Sequence, residues 1–209
     1  MDWSAWHNDY DNPGTPLARR LADVQGHIRT ALSDAPAGPL TAVSLCAGQG
    51  RDLIEVLAEH PRRTDVRARL VELDPRNTAV AGDAVRELGL DQVEVVTGDA
   101  SLTDQYVGLV PADLVLACGI FGNISDADIE RTIAFCPQFC KPGAVLIWTR
   151  HREAPDLAPT ICSWFEAARF ERLYLSAPDA GYGVGVHRYV GPEQPLEVGH
   201  RLFTFGSAR

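Results

Sequence analysis

The stretch Thr41-Ala42-Val43-Ser44-Leu45-Cys46-Ala47-Gly48-Gln49-Gly50-Arg51-Asp52-Leu53 decides the fold. It begins as a short apolar run and ends in a glycine turn. A helical pattern follows at once through Leu53, Ile54, Val56 and Leu57. Strand, tight glycine turn and helix together hold anionic or nucleotide-like ligands. The glycines let the backbone approach the ligand, and the helix start offers free N–H groups.

Downstream the same alternation repeats. Val66–Glu72 reads as a second strand, closing in Glu72-Leu73-Asp74-Pro75. A helix runs from Pro75 to Leu88, with Gly89 at its end. Gln92–Thr97 is a third strand leading into Gly98-Asp99-Ala100. Ala112–Cys118 is a fourth, apolar throughout as a central parallel strand should be, and Gly119-Ile120-Phe121-Gly122-Asn123 follows it. Ser125 opens the next helix. Gly143–Thr149 is a fifth strand that delivers Arg150-His151-Arg152-Glu153 to the same edge. After a helix from Ala158, Arg169–Leu175 and Tyr182–Val190 form an antiparallel hairpin, and Arg201–Phe205 adds an edge strand.

Upstream, Thr15 caps a helix whose first residue is Pro16 and whose stripe is Leu17, Leu21, Val24, Ile28 and Leu32. Trp3, Trp6, His7 and Tyr10 fall on one helical face. That face either pins a short helix to the body or forms a lid over a pocket. Residues 1–38 are taken as the N-terminal helical cap and 39–209 as the core, within one structural domain.

The glycine turn resembles the first motif of the class I S-adenosylmethionine (SAM)-dependent methyltransferases. Gly48 and Gly50 match its second and third glycines, whereas Ser44 stands in place of its acid and Cys46 in place of its first glycine. The resemblance implies an α/β, doubly wound Rossmann-like sheet of about seven strands, the last antiparallel, with SAM as cofactor. It also implies roles. Glu72 takes the ribose hydroxyls, since a carboxylate accepts two charge-assisted bonds from a diol, and Asp74 caps the next helix. Asp99 takes the adenine amine and the Ala100 N–H meets a ring nitrogen. Cys46, Ala47, Leu73, Cys118 and Gly119 complete the cofactor site. Asp52 serves the helix dipole or, alternatively, contacts the cofactor's amino group.

The activity implied is methyl transfer to an oxygen or nitrogen of a small aromatic or apolar molecule. His151 is the candidate base, because an imidazole with an ordinary pKa of about 6.5 accepts protons at neutral pH. His7 is the second candidate. Asn123 is a further candidate at the reacting edge, and Trp3, Trp6, Tyr10, Phe121, Trp148 and Arg150 are candidates for the substrate wall. Two other classes stay open. One is a SAM-binding protein of this fold that moves no methyl group. The other is a NAD-binding oxidoreductase, which needs a glycine where Leu53 stands.

Whole-chain properties bound the rest. The 209 residues suffice for one domain with a real core. No apolar run approaches the roughly 20 residues of a membrane span, and the N-terminus lacks the pattern of a signal peptide. A net charge of −9 weighs against a nucleic-acid partner. Five dispersed cysteines point to reduced thiols in the cytoplasm. Cys136 and Cys140 read as buried thiols, since zinc wants four clustered ligands, so no metal is expected. The partner is a small-molecule methyl acceptor, and the oligomeric state is left open.

Overall fold

The computed structural model describes residues 14–206. The aromatic face of Trp3, Trp6, His7 and Tyr10 lies outside them. Helix α1 (Pro16–Asp34) starts where Thr15 accepts the Ala18 N–H at 3.1 Å. β1 (Leu40–Leu45) leads through the glycine turn to α2 (Arg51–Glu59). β2 (Val66–Glu72), α3 (Pro75–Glu87), β3 (Val93–Thr97) and β4 (Ala112–Ala117) follow. Then come α4 (Asp126–Phe139), β5 (Cys140–His151), α5 (Ala158–Ala167), β6 (Phe170–Leu175) and β7 (Tyr182–Tyr189).

The seven strands form one sheet in the order β3-β2-β1-β4-β5-β7-β6. β1 to β5 pair in parallel, and β7 runs antiparallel between β5 and β6. The chain builds outward from β1 to β3 and then crosses back to β4. The strand order therefore reverses between β1 and β4, and the crevice above their C-terminal ends is where such sheets take ligands.

Both faces of the sheet are covered. Val24, Ile28 and Leu32 of α1 pack with Leu53, Ile54, Val56 and Leu57 of α2 on one face. Ile129 and Ile133 of α4, Ile161 and Phe165 of α5, and Leu202 and Phe203 near the C-terminus cover the other. Double coverage explains why β1 and β4 are apolar along nearly their whole length. Helix α1, the described part of the 1–38 segment, is thus built into the body.

Two expectations are corrected. Phe121 and Trp148 are core residues and form no substrate wall, for both side chains are fully buried. Trp148 lies opposite Gly185 of β7. A β-carbon on Gly185 would overlap its indole, 2.5 Å from Nε1. The glycine thus makes the slot that draws the ring inward, where Nε1 donates to His187 Nδ1 at 3.2 Å. Burial and the Arg172 charge lower the His187 pKa to about 4, which keeps this acceptor neutral. Arg201–Phe205 forms no edge strand. It touches the body at two single bridges, Leu102 to Arg201 and Ile124 to Phe205, and belongs to an irregular strap over residues 196–206.

The slot yields a prediction. Gly185→Ala should destabilise the fold by about 1–3 kcal/mol through overpacking. Gly183→Ala, whose β-carbon meets nothing closer than 3.4 Å, should change stability by no more than about 0.5 kcal/mol. Urea unfolding of the two variants checks this, and equal losses would refute the slot.

Candidate functional site

The glycine turn is shaped by its neighbours. Gly50 has φ 69°, and a β-carbon there would stand 2.5 Å from Leu70 Cδ2 and 2.7 Å from Ile54 Cδ1. Glycine alone satisfies both the left-handed backbone and the lack of space. Gly48 is also left-handed, at φ 57°. Cys46, where the resemblance expects glycine, adopts φ 50° despite its side chain, a conformation that costs an L-residue about 1–2 kcal/mol.

Glu72, at the end of β2, braces this turn. One carboxylate oxygen accepts the Gly48 N–H and the other the Asp74 N–H, each at 2.9 Å. The side chain is half-buried and each oxygen keeps a further lone pair, so a diol could still donate to it. Beside it Leu73 is 65% exposed, a large apolar side chain left bare at the crevice. Asp74 caps α3 by accepting the Arg76 N–H at 2.9 Å, as the sequence suggests.

Asp99 lies one strand further out. One of its oxygens accepts the Ser101 N–H at 3.0 Å and the Ser101 hydroxyl at 2.6 Å. The other accepts Arg201 Nη1 at 2.7 Å. Burial opposes its ionisation, but the bonds from Ser101 and Arg201 outweigh that and hold its pKa below the ordinary value. Both Glu72 and Asp99 act on the Cys46 thiol, whose pKa is raised first by burial and then by these two charges. Cys46, Glu72 and Asp99 therefore share one electrostatic neighbourhood, in which the thiol stays protonated. Ala100, next in the chain after Asp99, is buried.

At the β1/β4 end of the crevice, Asp52 accepts the Leu53 N–H at 2.8 Å. Burial raises its pKa to about 6, against the opposing pull of that bond and of Arg20. Its charge is felt at Cys118, whose thiol burial also pushes up. Gly119 continues from Cys118 at φ 76° and donates its N–H to Thr149 Oγ1 at 2.8 Å. Ala47 closes the floor through its N–H bond to the Val71 carbonyl at 3.0 Å.

The fourth-strand loop and the end of β5 meet as expected, with altered roles. Asn123 is exposed, and its amide donates to the Gly119 carbonyl at 2.8 Å, closing the loop on itself. Arg150 is buried, donates Nη1 to the Phe121 carbonyl and leaves Nε without a partner. Burial lowers its pKa, opposed by Asp126 and Asp156. His151 lies over Gly122, where a β-carbon would come within 2.9 Å of the ring. Its Nδ1 accepts the Glu153 N–H at 3.3 Å. That contact occupies Nδ1, so Nε2 is the nitrogen through which the ring could meet a ligand. His7 lies outside the described residues. Sequence reasoning missed Ser101, which bonds Asp99 from two residues on, and Arg201, which reaches it from the C-terminal strap. Arg201 stands 102 positions from Asp99, and no local pattern signals it.

Among the described residues no group of His, Cys, Asp and Glu could hold a metal ion. No helix among them is long and apolar enough to cross a membrane.

Comparison with known proteins fits this geometry. A family model described as "Putative methyltransferase" matches residues 17–163. The uncharacterised protein YnbC of Escherichia coli K12 is 25% identical over 146 residues, covering 68% of this chain and 25% of that protein. The chain thus spans about a quarter of the length of that curated relative. Two solved structures from Burkholderia thailandensis share the fold. An O-methyltransferase family protein aligns with TM-score 0.62 and 17% identity over 81% of this chain and 57% of its own. The 1,6-didemethyltoxoflavin-N1-methyltransferase, solved with 1,6-didemethyltoxoflavin and S-adenosylhomocysteine bound, aligns with TM-score 0.62 and 18% identity over 90% and 85%. The family model covers well over half of the chain, and the chain belongs to that methyltransferase family.

The Glu72 brace generates a prediction that needs no ligand. Glu72→Ala strands two N–H groups and should cost about 1–2 kcal/mol, lowering the melting temperature by about 2–8 °C. An unchanged melting temperature would show that the brace contributes nothing.

Proposed function

We propose that this member of the family transfers a methyl group from S-adenosylmethionine to an oxygen or nitrogen of a small, aromatic or apolar molecule. The observation that carries the reading is the Glu72 carboxylate, fixed by the Gly48 and Asp74 N–H groups beside the β1/β4 crevice with Asp99 as its neighbour. The donor set suits the cofactor. Glu72 offers a lone pair on each oxygen to the ribose diol. Asp99 offers an acceptor to the adenine amine, and bare Leu73 an apolar surface for the ring. Asp52 supplies a carboxylate for the amino group at the end where Cys118 and Gly119 lie. When bound, the cofactor supplies an electrophilic methyl carbon on a positively charged sulfur.

The chain's own contribution is then alignment and exclusion of water. His151 donates through Nε2 and orients the acceptor atom, while Asn123 holds the loop on which it rests. Arg150 ties that loop to β5. With Phe121 and Trp148 committed to the core, the sequence pattern of Trp3, Trp6 and Tyr10, outside the described residues, is what favours a flat or apolar acceptor.

Two predictions follow from these roles. Calorimetric titration with S-adenosylhomocysteine should show binding that is constant above pH 7. It should weaken up to tenfold per unit below pH 6, because Asp52 with a pKa of about 6 must lose its proton to meet an ammonium group. Asp52→Asn should bind more weakly at pH 7.5 and lose the pH dependence. No binding, or tighter binding of NADH, would overturn the reading. In a methyl-label transfer assay, His151→Gln, which keeps a terminal N–H donor, should retain most turnover and His151→Ala should lose about tenfold. A wild-type rate that climbs with pH through the histidine range, abolished in both variants, would instead restore the base.

A further inference from the structure

The C-terminal strap ends its course on a residue of the site. Between residues 199 and 204 it is held to the body mainly through main-chain groups. The Gly199 N–H reaches Asp104 at 2.8 Å, and the His200 N–H reaches Thr103 Oγ1 at 3.1 Å. The Leu202 N–H bonds the Ser101 carbonyl at 2.8 Å, and the Leu202 carbonyl takes Arg131 Nε at 2.9 Å. The Thr204 N–H reaches Asp128 at 3.1 Å. Leu202 and Phe203 are buried in the core. Arg201 is thereby fixed at its backbone while half of its side chain stays exposed.

From that position its guanidinium completes a closed ring of hydrogen bonds. Nη1 donates to Asp99 Oδ2 at 2.7 Å and to Ser101 Oγ at 2.6 Å. The Ser101 hydroxyl donates in turn to Asp99 Oδ1 at 2.6 Å. Each carboxylate oxygen is held from a different side, so the plane of the group is fixed and it stays ionised.

We infer that Arg201 is a positioning residue that sets Asp99 to demand a hydrogen-bond donor at the 6-position of the purine. The inference rests on the cofactor reading above. Magnitudes separate it from a plain surface staple. A half-exposed ion pair adds little to stability, and the strap is already secured by its main-chain bonds and by buried Leu202 and Phe203. The selective effect of the Arg201 contact is therefore local to Asp99. An ionised carboxylate with a fixed plane accepts from an amine and repels the lone pairs of a 6-oxo group. Freed of Arg201, the group loses its hold on Oδ2 and can turn about the Ser101 bonds, and the distinction fades.

The test compares S-adenosylhomocysteine with S-inosylhomocysteine, its 6-oxo counterpart, by calorimetry on the full chain. The wild type should prefer the 6-amino ligand by at least tenfold. Arg201→Ala should shrink that preference at least fivefold with a melting temperature within a few degrees of wild type, and Arg201→Lys should restore most of it. Asp99→Asn should shrink it as well, with no further loss in the double variant. A preference unchanged in Arg201→Ala overturns the inference while leaving the cofactor reading in place. Failure of the wild type to bind either ligand overturns both.

Discussion

The bridge from Glu72 to the Gly48 and Asp74 N–H groups ties the turn after β1 to the turn after β2. Two main-chain donors that no strand partner reaches are satisfied by one side chain. A part-buried N–H left unpaired costs about as much as a lost hydrogen bond, so the carboxylate stabilises the shape of the turn. Gly50 adds the steric half of the constraint, being wedged against Leu70 and Ile54 in a left-handed conformation. Together they fix where α2 begins, and hence where Asp52 stands. A ligand that uses Glu72 meets an acceptor already immobilised, which lowers the entropy lost on binding.

The same geometry accounts for the departures in the first motif. Ser44 is buried within β1, 1% exposed, on the face covered by α1 and α2. A carboxylate there would lie inside the sheet's own packing. The chain carries an acid instead at Asp52, in the first turn of α2. Cys46 is held in the left-handed region next to two carboxylates. Burial first and those charges second keep its thiol protonated and unreactive, so the strained position supplies shape and no nucleophile.

How much was legible in the sequence follows from the range of the contacts involved. The strands, the caps at Thr15, Asp74 and Ser125, and the glycine turn are local, and the chain folds there as its residues suggest. The fifth strand begins earlier than its apolar pattern, at Cys140, because α4 passes into it without a turn. Phe121 and Trp148 read as pocket aromatics since they flank the reacting edge. Their destination is set by packing across the sheet, and for Trp148 by Gly185 on a strand that pairs from 37 positions away. Asn123 and His151 do reach the edge, where Asn123 closes its own loop and His151 Nδ1 takes the Glu153 N–H. The strap has no periodicity to read, for its anchors lie on residues far back in the chain.

The carboxylates at the crevice differ in how their charge is balanced, and the difference bears on the proposed reaction. Asp99 is neutralised by Arg201. Asp52 is ionised only above a pKa of about 6, with Arg20 in its field. Among the described residues Glu72 is bonded by two neutral N–H groups and pairs with no cation. A ligand with a positive sulfur is attracted by that uncompensated charge, and the same ligand after losing its methyl group is not. Charge at the crevice therefore weakens the hold on the product relative to the cofactor, because the interaction scales with ligand charge in a setting less polar than water. Alignment needs the cofactor held at its ribose and adenine ends, and turnover needs the product released. On the proposed reading, with Glu72 at the ribose and Asp99 at adenine, an unbalanced carboxylate at one end and an arginine-paired one at the other would let one site serve both demands.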